Sequence, residues 1–171
     1  MFKKYLAFAF FLATFSASSQ TIGDYKNGFK RDGNALSFST ARGEVKLDFC
    51  TSEIFRIRSS WSGKFEANEN LMVIKYNWPN VAAKVEEKKD QFIISTAKIL
   101  IKIYKTPFKI DVFDLQGKLL SAENNGAISK SGTKVGVTKK LQDDEHFFGF
   151  GERMDFMDRR FKKVTLNVGR G

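Results

Sequence analysis

Apolar and polar residues alternate along most of the chain from Ala35 onward. Val45, Leu47 and Phe49 are separated by charged residues, and the same spacing recurs further along the chain. A period of two is expected of a strand that packs one face on a core and exposes the other to water. The alternation predicts strands at 44–49, 55–58, 71–76, 83–87, 91–96, 98–104, 108–114, 134–140 and 164–167.

Turn-forming residues separate these runs at the spacing of a meander or a sandwich. They occupy 88–90, 114–117, 124–126 and 131–132, and Asn125-Gly126 is the strongest hairpin signal among them. No long stretch after the first twenty residues keeps the apolar stripe of an amphipathic helix, which disfavours parallel βαβ architecture. We therefore expect an all-β protein, an antiparallel β-sandwich. Its buried side chains should include Phe49, Phe55, Ile57, Ile101, Ile103, Ile110 and Val112.

The N-terminal segment has a different pattern. Lys3 and Lys4 precede an apolar run at 5–15, and small residues then lead to Ser19. A basic start, a short apolar run and a small-residue cleavage site characterise a secretory signal peptide, and the run is too short for a membrane anchor. We expect a signal peptide at 1–19 and a loosely held leader at 20–34. The protein should then be exported, soluble in the periplasm or outside the cell, with no membrane association after cleavage.

The chain is strongly basic, with a formal net charge of +10 at pH 7. Its basic residues occur as scattered pairs such as Lys88-Lys89 and Lys139-Lys140 rather than as one patch. Together with the predicted export, this scatter argues against a nucleic-acid partner. Cys50 is the only cysteine, so no intramolecular disulfide can form.

The sequence offers little for a catalytic or metal centre. Asp143-Asp144-Glu145 is the densest acidic cluster, but consecutive carboxylates just before a predicted strand are typical of a solvated turn. His146 is the only histidine, which excludes a two-histidine metal site within the chain. We expect no catalytic residue, no metal site and no cofactor in this chain.

The most informative stretch begins at His146. Gly149 and Gly151 flank Phe150, which indicates a strand that bulges or passes close to another backbone. A loop rich in Met, Phe, Asp and Arg follows. Aromatic faces mixed with carboxylates suit sugar rings, which have apolar faces and hydroxyl rims, but the same residues could also cap the end of a sandwich.

This stretch resembles a known family. A Phe-Gly-Phe-Gly-Glu run at 148–152, Arg159-Arg160, and Thr-Leu-Asn at 165–167 are similar to the segment that closes the N-terminal, galactose mutarotase-like β-sandwich of glycoside hydrolase family 31. The run at 111–120 also resembles a hairpin of that domain. The resemblance covers about 35–171, which we expect to be one sandwich domain.

The resemblance implies where the chemistry lies. In the family, the nucleophile and acid/base aspartates belong to a (β/α)₈ barrel that follows the sandwich, so no residue here should take either role. The implied partners are that downstream barrel of the same polypeptide and a carbohydrate, an α-linked glycoside. The residues implied to shape a substrate-binding subsite are Phe150, Glu152, Arg153, Phe156 and Arg170.

Two functions remain open at this point. The first is the N-terminal domain, or a fragment, of an exported α-glucosidase-like or α-xylosidase-like enzyme of carbohydrate metabolism. The second is a stand-alone β-sandwich that binds carbohydrate without cleaving it. A sugar mutarotase of the same fold is disfavoured, because such relatives use a pair of histidines with a glutamate and this chain has only His146.

Overall fold

The computed structural model describes residues 19–68, 73–151 and 156–166. This part of the chain forms strands and connecting segments without a helix, so no described helix could cross a membrane. The strands are β1 (Gln20–Thr21), β2 (Lys30–Asp32), β3 (Ala35–Thr40), β4 (Gly43–Phe49), β5 (Phe55–Ser60), β6 (Lys84–Glu87), β7 (Gln91–Ser95), β8 (Ile99–Lys105), β9 (Phe108–Asp114), β10 (Leu119–Ser131) and β11 (Lys134–Lys139).

The strands form two antiparallel sheets. The larger has the order β1-β10-β9-β8-β7-β6, with β11 also pairing with β10, and the smaller has the order β2-β3-β4-β5. The turns expected at 88–90, 114–117 and 131–132 each join two neighbouring strands. The all-β antiparallel sandwich is therefore confirmed.

Both sheets contribute alternate side chains to one core. Phe38 and Leu47 from the smaller sheet and Phe92 and Ile101 from the larger one are fully buried. The rings of Phe38 and Phe92 meet edge to face, with centroids 5.2 Å apart. Burying such a side chain contributes about 1.5–3 kcal/mol, so these alternating positions hold the sandwich together without a disulfide.

Four of the seven predicted core residues are fully buried, namely Phe49, Ile101, Ile103 and Ile110. The remaining three, Phe55, Ile57 and Val112, are only half-buried at the edge of the core. For Phe55 and Ile57 the reason is that β5 is the outermost strand of the smaller sheet. Strand alternation shows which face is apolar, but not how near the strand lies to the rim.

The segment at 20–34 is part of the sandwich, and the expectation of a loosely held leader is wrong. Gln20 pairs with Lys130 in the larger sheet, and Ile22 is buried. The Tyr25 ring packs against Phe92 with centroids 5.1 Å apart. These anchors are spaced irregularly in sequence, so alternation does not reveal them.

Asn125-Gly126 does not form the predicted hairpin turn. It lies inside β10, where the register with β11 shifts between Glu123 and Ile128. Gly126 has φ +67°, and a Cβ there would lie 2.8 Å from the Thr21 side chain. A glycine with positive φ serves a bulge as well as a turn, and here it also lets β1 approach β10.

Two further strand predictions are not met. Residues 73–76 and 164–166 are described and contain no strand, whereas 71–72 and Asn167 lie outside the described residues. Ile74 is 93% exposed and Leu166 is 63% exposed. A short apolar run becomes a strand only where it pairs with a neighbouring strand, and the described parts of these two runs belong to neither sheet.

Candidate functional site

The chain after β11 forms an irregular loop, described at 140–151 and 156–166 and called here the C-terminal loop. Its start is fastened to β10. The Lys140 backbone N–H donates to the Ala122 carbonyl at 2.8 Å, and the Gln142 side-chain amide donates to the Leu120 carbonyl at 3.1 Å. The loop therefore extends from a fixed position at the edge of the larger sheet.

Asp158 closes this loop on itself. One carboxylate oxygen lies 2.6 Å from the His146 Nδ1, and the other accepts the backbone N–H groups of Phe147 at 3.3 Å and Arg160 at 2.9 Å. The Arg159 N–H also donates to the Phe147 carbonyl at 2.7 Å. Positions 146–147 are thus held beside 158–160.

Arg160 adds a second fastening. Its guanidinium donates to the Gln142 carbonyl at 2.8 Å and to the Glu145 carbonyl. The same guanidinium lies 4.9 Å from the centroid of the Phe161 ring. Because a guanidinium donor is charged, such bonds are stronger than those between neutral groups, and they fix the turn that contains the acidic cluster.

The hydrogen bonds to Asp158 have an electrostatic consequence. The Arg160 backbone N–H, followed by the His146 side chain, lowers the pKa of Asp158 to about 2. The pKa of an aspartate in an unfolded chain is about 3.9, so its lower value in the folded loop means that the ionised Asp158 stabilises this loop at any pH above about 3.9. That stabilisation is lost as the pH falls through the folded-state pKa of about 2.

We predict that the Phe147 and Arg160 amide resonances titrate with a midpoint near pH 2 in NMR spectra recorded between pH 1.5 and 5. Asp158→Asn should abolish this titration, because the amide carries no titrating proton. Asp143→Asn, in the exposed part of the loop, should leave it unchanged. A midpoint near 4 in the unaltered chain would contradict the proposed hydrogen bonds.

The C-terminal loop exposes many apolar side chains. Phe148, Phe156, Met157 and Phe161 are each more than 60% exposed. Soluble proteins seldom expose so many large apolar groups together without a ligand or another domain to contact them. The loop is therefore the part of the described chain best suited to an intermolecular or interdomain contact.

The glycines around Phe150 form a bend rather than the predicted bulged strand. Gly149, Phe150 and Gly151 have φ values of +91°, +68° and +87°. Apart from the chain neighbours of each glycine, no atom of the described residues lies within 4 Å of where a Cβ would stand on Gly149 or Gly151, so the described part of the chain contains no close backbone approach there. A left-handed phenylalanine costs of order 1–3 kcal/mol, and this cost is typical of segments shaped for function.

The structure tests only some of the predicted site residues by position. Phe150 and Phe156 both lie on the C-terminal loop and are exposed. Glu152, Arg153 and Arg170 lie outside the described residues. The substrate-binding role of all five stays a prediction.

The acidic cluster has the form of a turn. Asp143 and Asp144 are exposed, and the Glu145 carboxylate accepts the Gln142 backbone N–H at 3.1 Å. Within 19–68, 73–151 and 156–166, no group of three or more His, Cys, Asp or Glu side chains is arranged to hold a metal ion.

Sequence reasoning missed the fastening of this loop. His146 and Asp158 are twelve positions apart, and Arg160 reaches back to carbonyls that are not marked by residue type. The only available signal was one histidine followed at short range by aspartate and arginine.

Comparison with known proteins identifies the family to which most of this chain is similar. A family model described as "Glycosyl hydrolase 31 N-terminal galactose mutarotase-like domain" matches residues 44–168. The alpha-glucosidase 2 of Bacillus thermoamyloliquefaciens is 30% identical over 139 residues, which are 81% of this chain and 18% of that protein.

Solved structures of family 31 enzymes share the fold of this chain. A family 31 dextranase from Flavobacterium johnsoniae, in complex with isomaltotriose, superposes with a TM-score of 0.75 and 31% identity over 84% of this chain and 18% of the dextranase. A family 31 α-xylosidase from Xanthomonas citri shares the fold, with a TM-score of 0.64 and 20% identity over 76% of this chain and 15% of the xylosidase.

This chain spans about a fifth of the length of these relatives. The family model that it matches describes the N-terminal domain of these enzymes and covers residues 44–168. The chain therefore belongs to the N-terminal galactose mutarotase-like domains of glycoside hydrolase family 31.

Proposed function

We propose that this chain is the N-terminal domain of an exported family 31 α-glycosidase, acting on α-linked glucosides or xylosides. In this proposal the C-terminal loop contributes sugar contacts at the rim of an active site whose catalytic residues lie in a barrel of the same polypeptide. The observation that carries the proposal is the loop itself. Hydrogen bonds to Asp158 and Arg160 hold it in place while it exposes aromatic rings.

The chemistry of the loop supports a sugar-contacting role. Phe150 and Phe156 present aromatic rings at its surface, and the apolar face of a sugar ring packs on such a ring. Backbone groups and charged side chains nearby offer partners for hydroxyl groups. One relative, the dextranase, is seen with isomaltotriose, an oligosaccharide of the proposed class.

In this proposal the described carboxylates do not supply the catalytic step. A retaining glycosidase needs two carboxyl groups about 5–5.5 Å apart on either side of the scissile bond. Asp111 and Glu123 are neighbours, but both are buried in the larger sheet. Asp111 accepts the Glu123 N–H at 3.2 Å and Glu123 accepts the Ile110 N–H at 2.9 Å, so both serve the sheet.

Export is part of the proposal and has separate support. The sequence features of 1–19 are those of a signal peptide, and Gln20, the residue after the predicted cleavage site, belongs to strand β1.

A stand-alone carbohydrate-binding module is the second candidate. The observation that favours it is that β1 to β11 close one core within residues 20–139. Such a sandwich does not need another domain to bury its interior. Reading the coding sequence after Gly171 separates the two candidates, since only the first requires a barrel.

We predict that the purified chain leaves aryl α-glucosides and α-xylosides intact, whereas the polypeptide that includes the barrel hydrolyses one of them. In the longer polypeptide, Phe150→Ala and Phe156→Ala should each raise KM for an α-linked oligosaccharide by about three- to tenfold, the loss of one aromatic contact. Steady-state kinetics measure this change. Leu115→Ala, exposed on the turn before β10, is the matched control and should leave KM unchanged.

Two results would contradict the proposal. Turnover by the purified chain, abolished by Asp143→Asn or Asp144→Asn, would place the catalytic machinery in this domain. An unchanged KM in both phenylalanine variants would remove the C-terminal loop from the substrate site.

A further inference from the structure

A second feature of the sandwich lies apart from the C-terminal loop. A groove of about 720 Å³ runs between the segment after β5 and the turn from β10 to β11, and we call it the Trp61 groove. Trp61 stands on the first side. Lys130 approaches from the second, with its Nζ 5.9 Å from the centroid of the Trp61 ring. The groove thus joins the edges of the two sheets.

Positive charge dominates the groove. Among its described lining residues, Arg56, Arg58, Lys64 and Lys130 are cationic, whereas Glu66 alone is anionic. The ion pairs between described residues include none with Lys64 or Lys130. Both ammonium groups belong to exposed residues, and within the described ranges neither has a carboxylate partner.

The arginines are only partly neutralised. Arg56 and Arg58 both pair with Asp48, at 3.4 and 3.3 Å, and Lys46 lies 3.6 Å from the same carboxylate. The single Asp48 carboxylate thus forms ion pairs with three cationic side chains, whose charge it only partly neutralises. This part of the sheet adds to the positive potential at the groove.

Two hydrogen-bond donors on residues that line the groove have no described acceptor. Arg58 Nε and Trp61 Nε1 are buried and have no hydrogen-bond partner among the described residues. Both groups can only donate. Two residues that line the groove thus each carry a donor without a described acceptor.

Aromatic rings complete the lining. The Arg58 guanidinium lies 5.1 Å from the Phe65 centroid, and that of Arg56 lies 5.5 Å from the Tyr76 centroid. With Trp61, these rings give the groove the apolar surfaces on which sugar rings pack. Inorganic phosphate would use the cations alone, whereas an anionic sugar uses both the cations and the rings.

We propose that the Trp61 groove binds an acidic saccharide, a sugar chain that bears carboxylate or sulfate groups. A sugar ring would lie against the aromatic side, and its anionic groups near Lys64 and Lys130. The Trp61 groove is separate from the C-terminal loop. The proposal that it binds an acidic saccharide can therefore be tested independently of the proposed glycosidase function.

Tryptophan fluorescence tests the proposal directly. The chain has two tryptophans, so Trp78→Phe leaves Trp61 as the only tryptophan, and its emission is excited selectively at a wavelength that tyrosine does not absorb. Circular dichroism verifies that the variant is folded. The purified variant is titrated with trigalacturonate, a sulfated disaccharide and neutral isomaltotriose. We expect a saturable change in Trp61 emission with one or both acidic sugars and none with isomaltotriose. The two acidic sugars distinguish carboxylate from sulfate recognition.

A charge-matched pair of variants separates a site from general attraction to a basic protein. Lys64→Gln with Lys130→Gln removes two charges from the groove, and Lys84→Gln with Lys118→Gln removes two exposed charges elsewhere. We expect Kd to rise about tenfold in the first double variant and less than about twofold in the second.

Three results would overturn the proposal. They are no response to either acidic sugar, equal weakening in both double variants, and a response to isomaltotriose alone. None of them bears on hydrolysis by the longer polypeptide, which is measured separately.

Discussion

Replacing Phe92 with alanine is expected to lower the free energy of unfolding by about 3–5 kcal/mol, the usual cost of removing a fully buried phenylalanine. Phe92 is fully buried, and its ring centroid lies within 5.3 Å of those of Tyr25, Phe29 and Phe38. These rings come from both sheets and from the N-terminal segment. The truncation would leave a cavity where three parts of the chain meet.

Urea unfolding followed by circular dichroism measures this loss. Phe148→Ala, on the C-terminal loop, is the matched control and should change stability by less than about 0.5 kcal/mol, because the ring is 63% exposed. The total free energy of unfolding of a small domain is only about 5–15 kcal/mol, so Phe92→Ala could unfold the protein. Phe92→Leu removes less of the side chain and provides a milder variant that stays folded. Equal effects of Phe92→Ala and Phe148→Ala would mean that the assigned core is wrong.

Gly43→Ala is expected to destabilise the protein by about 1–3 kcal/mol or more, through overpacking rather than a cavity. A Cβ at this position would lie 2.1 Å from the Ser60 carbonyl oxygen and 2.9 Å from the Trp61 Cα. Both are backbone atoms, so the clash cannot be relieved by a side-chain rotation. β4 or β5 would have to move, and their pairing would weaken.

The measurement is again the free energy of unfolding, with Gly136→Ala as control. Gly136 lies on the exposed strand β11, and its added Cβ would meet the Ser129 hydroxyl at 3.4 Å, an ordinary contact. We expect a change below about 0.5 kcal/mol for the control. A neutral Gly43→Ala would show that the close approach of β4 and β5 is not present.

Much of the fold could be predicted from sequence, because a period of two reports directly on a two-sided sheet. The prediction for 108–114 matches β9 to the residue, and those for 91–96 and 134–140 are one residue too long. Two of the failed predictions share one cause. Alternation says which face is apolar, but it does not identify the neighbouring strand, as 73–76 and Asn125-Gly126 show.

The candidate site was harder to predict, because its geometry depends on contacts between positions far apart in sequence. The residue types around Phe150 and Phe156 identified the C-terminal loop. The bonds that hold it, from Arg160 to backbone carbonyls, leave no mark in the sequence. The Trp61 groove was missed for the same reason, since Trp61 and Lys130 meet only when the two sheets are assembled.

The pairing of β1 with β10 constrains the order in which the protein can fold. Gln20 pairs with Lys130, so β1 has no strand to pair with until most of the sandwich has been synthesised. Closing such a long loop costs conformational entropy before the contact between β1 and β10 stabilises the protein. Domains with many pairings between distant parts of the sequence therefore fold slowly. Until then, the outer edge of β10 and the side chain of Ile22 stay open to solvent, and to chaperones that bind extended chains. The slowest step in maturation is therefore expected to be the docking of the N-terminus.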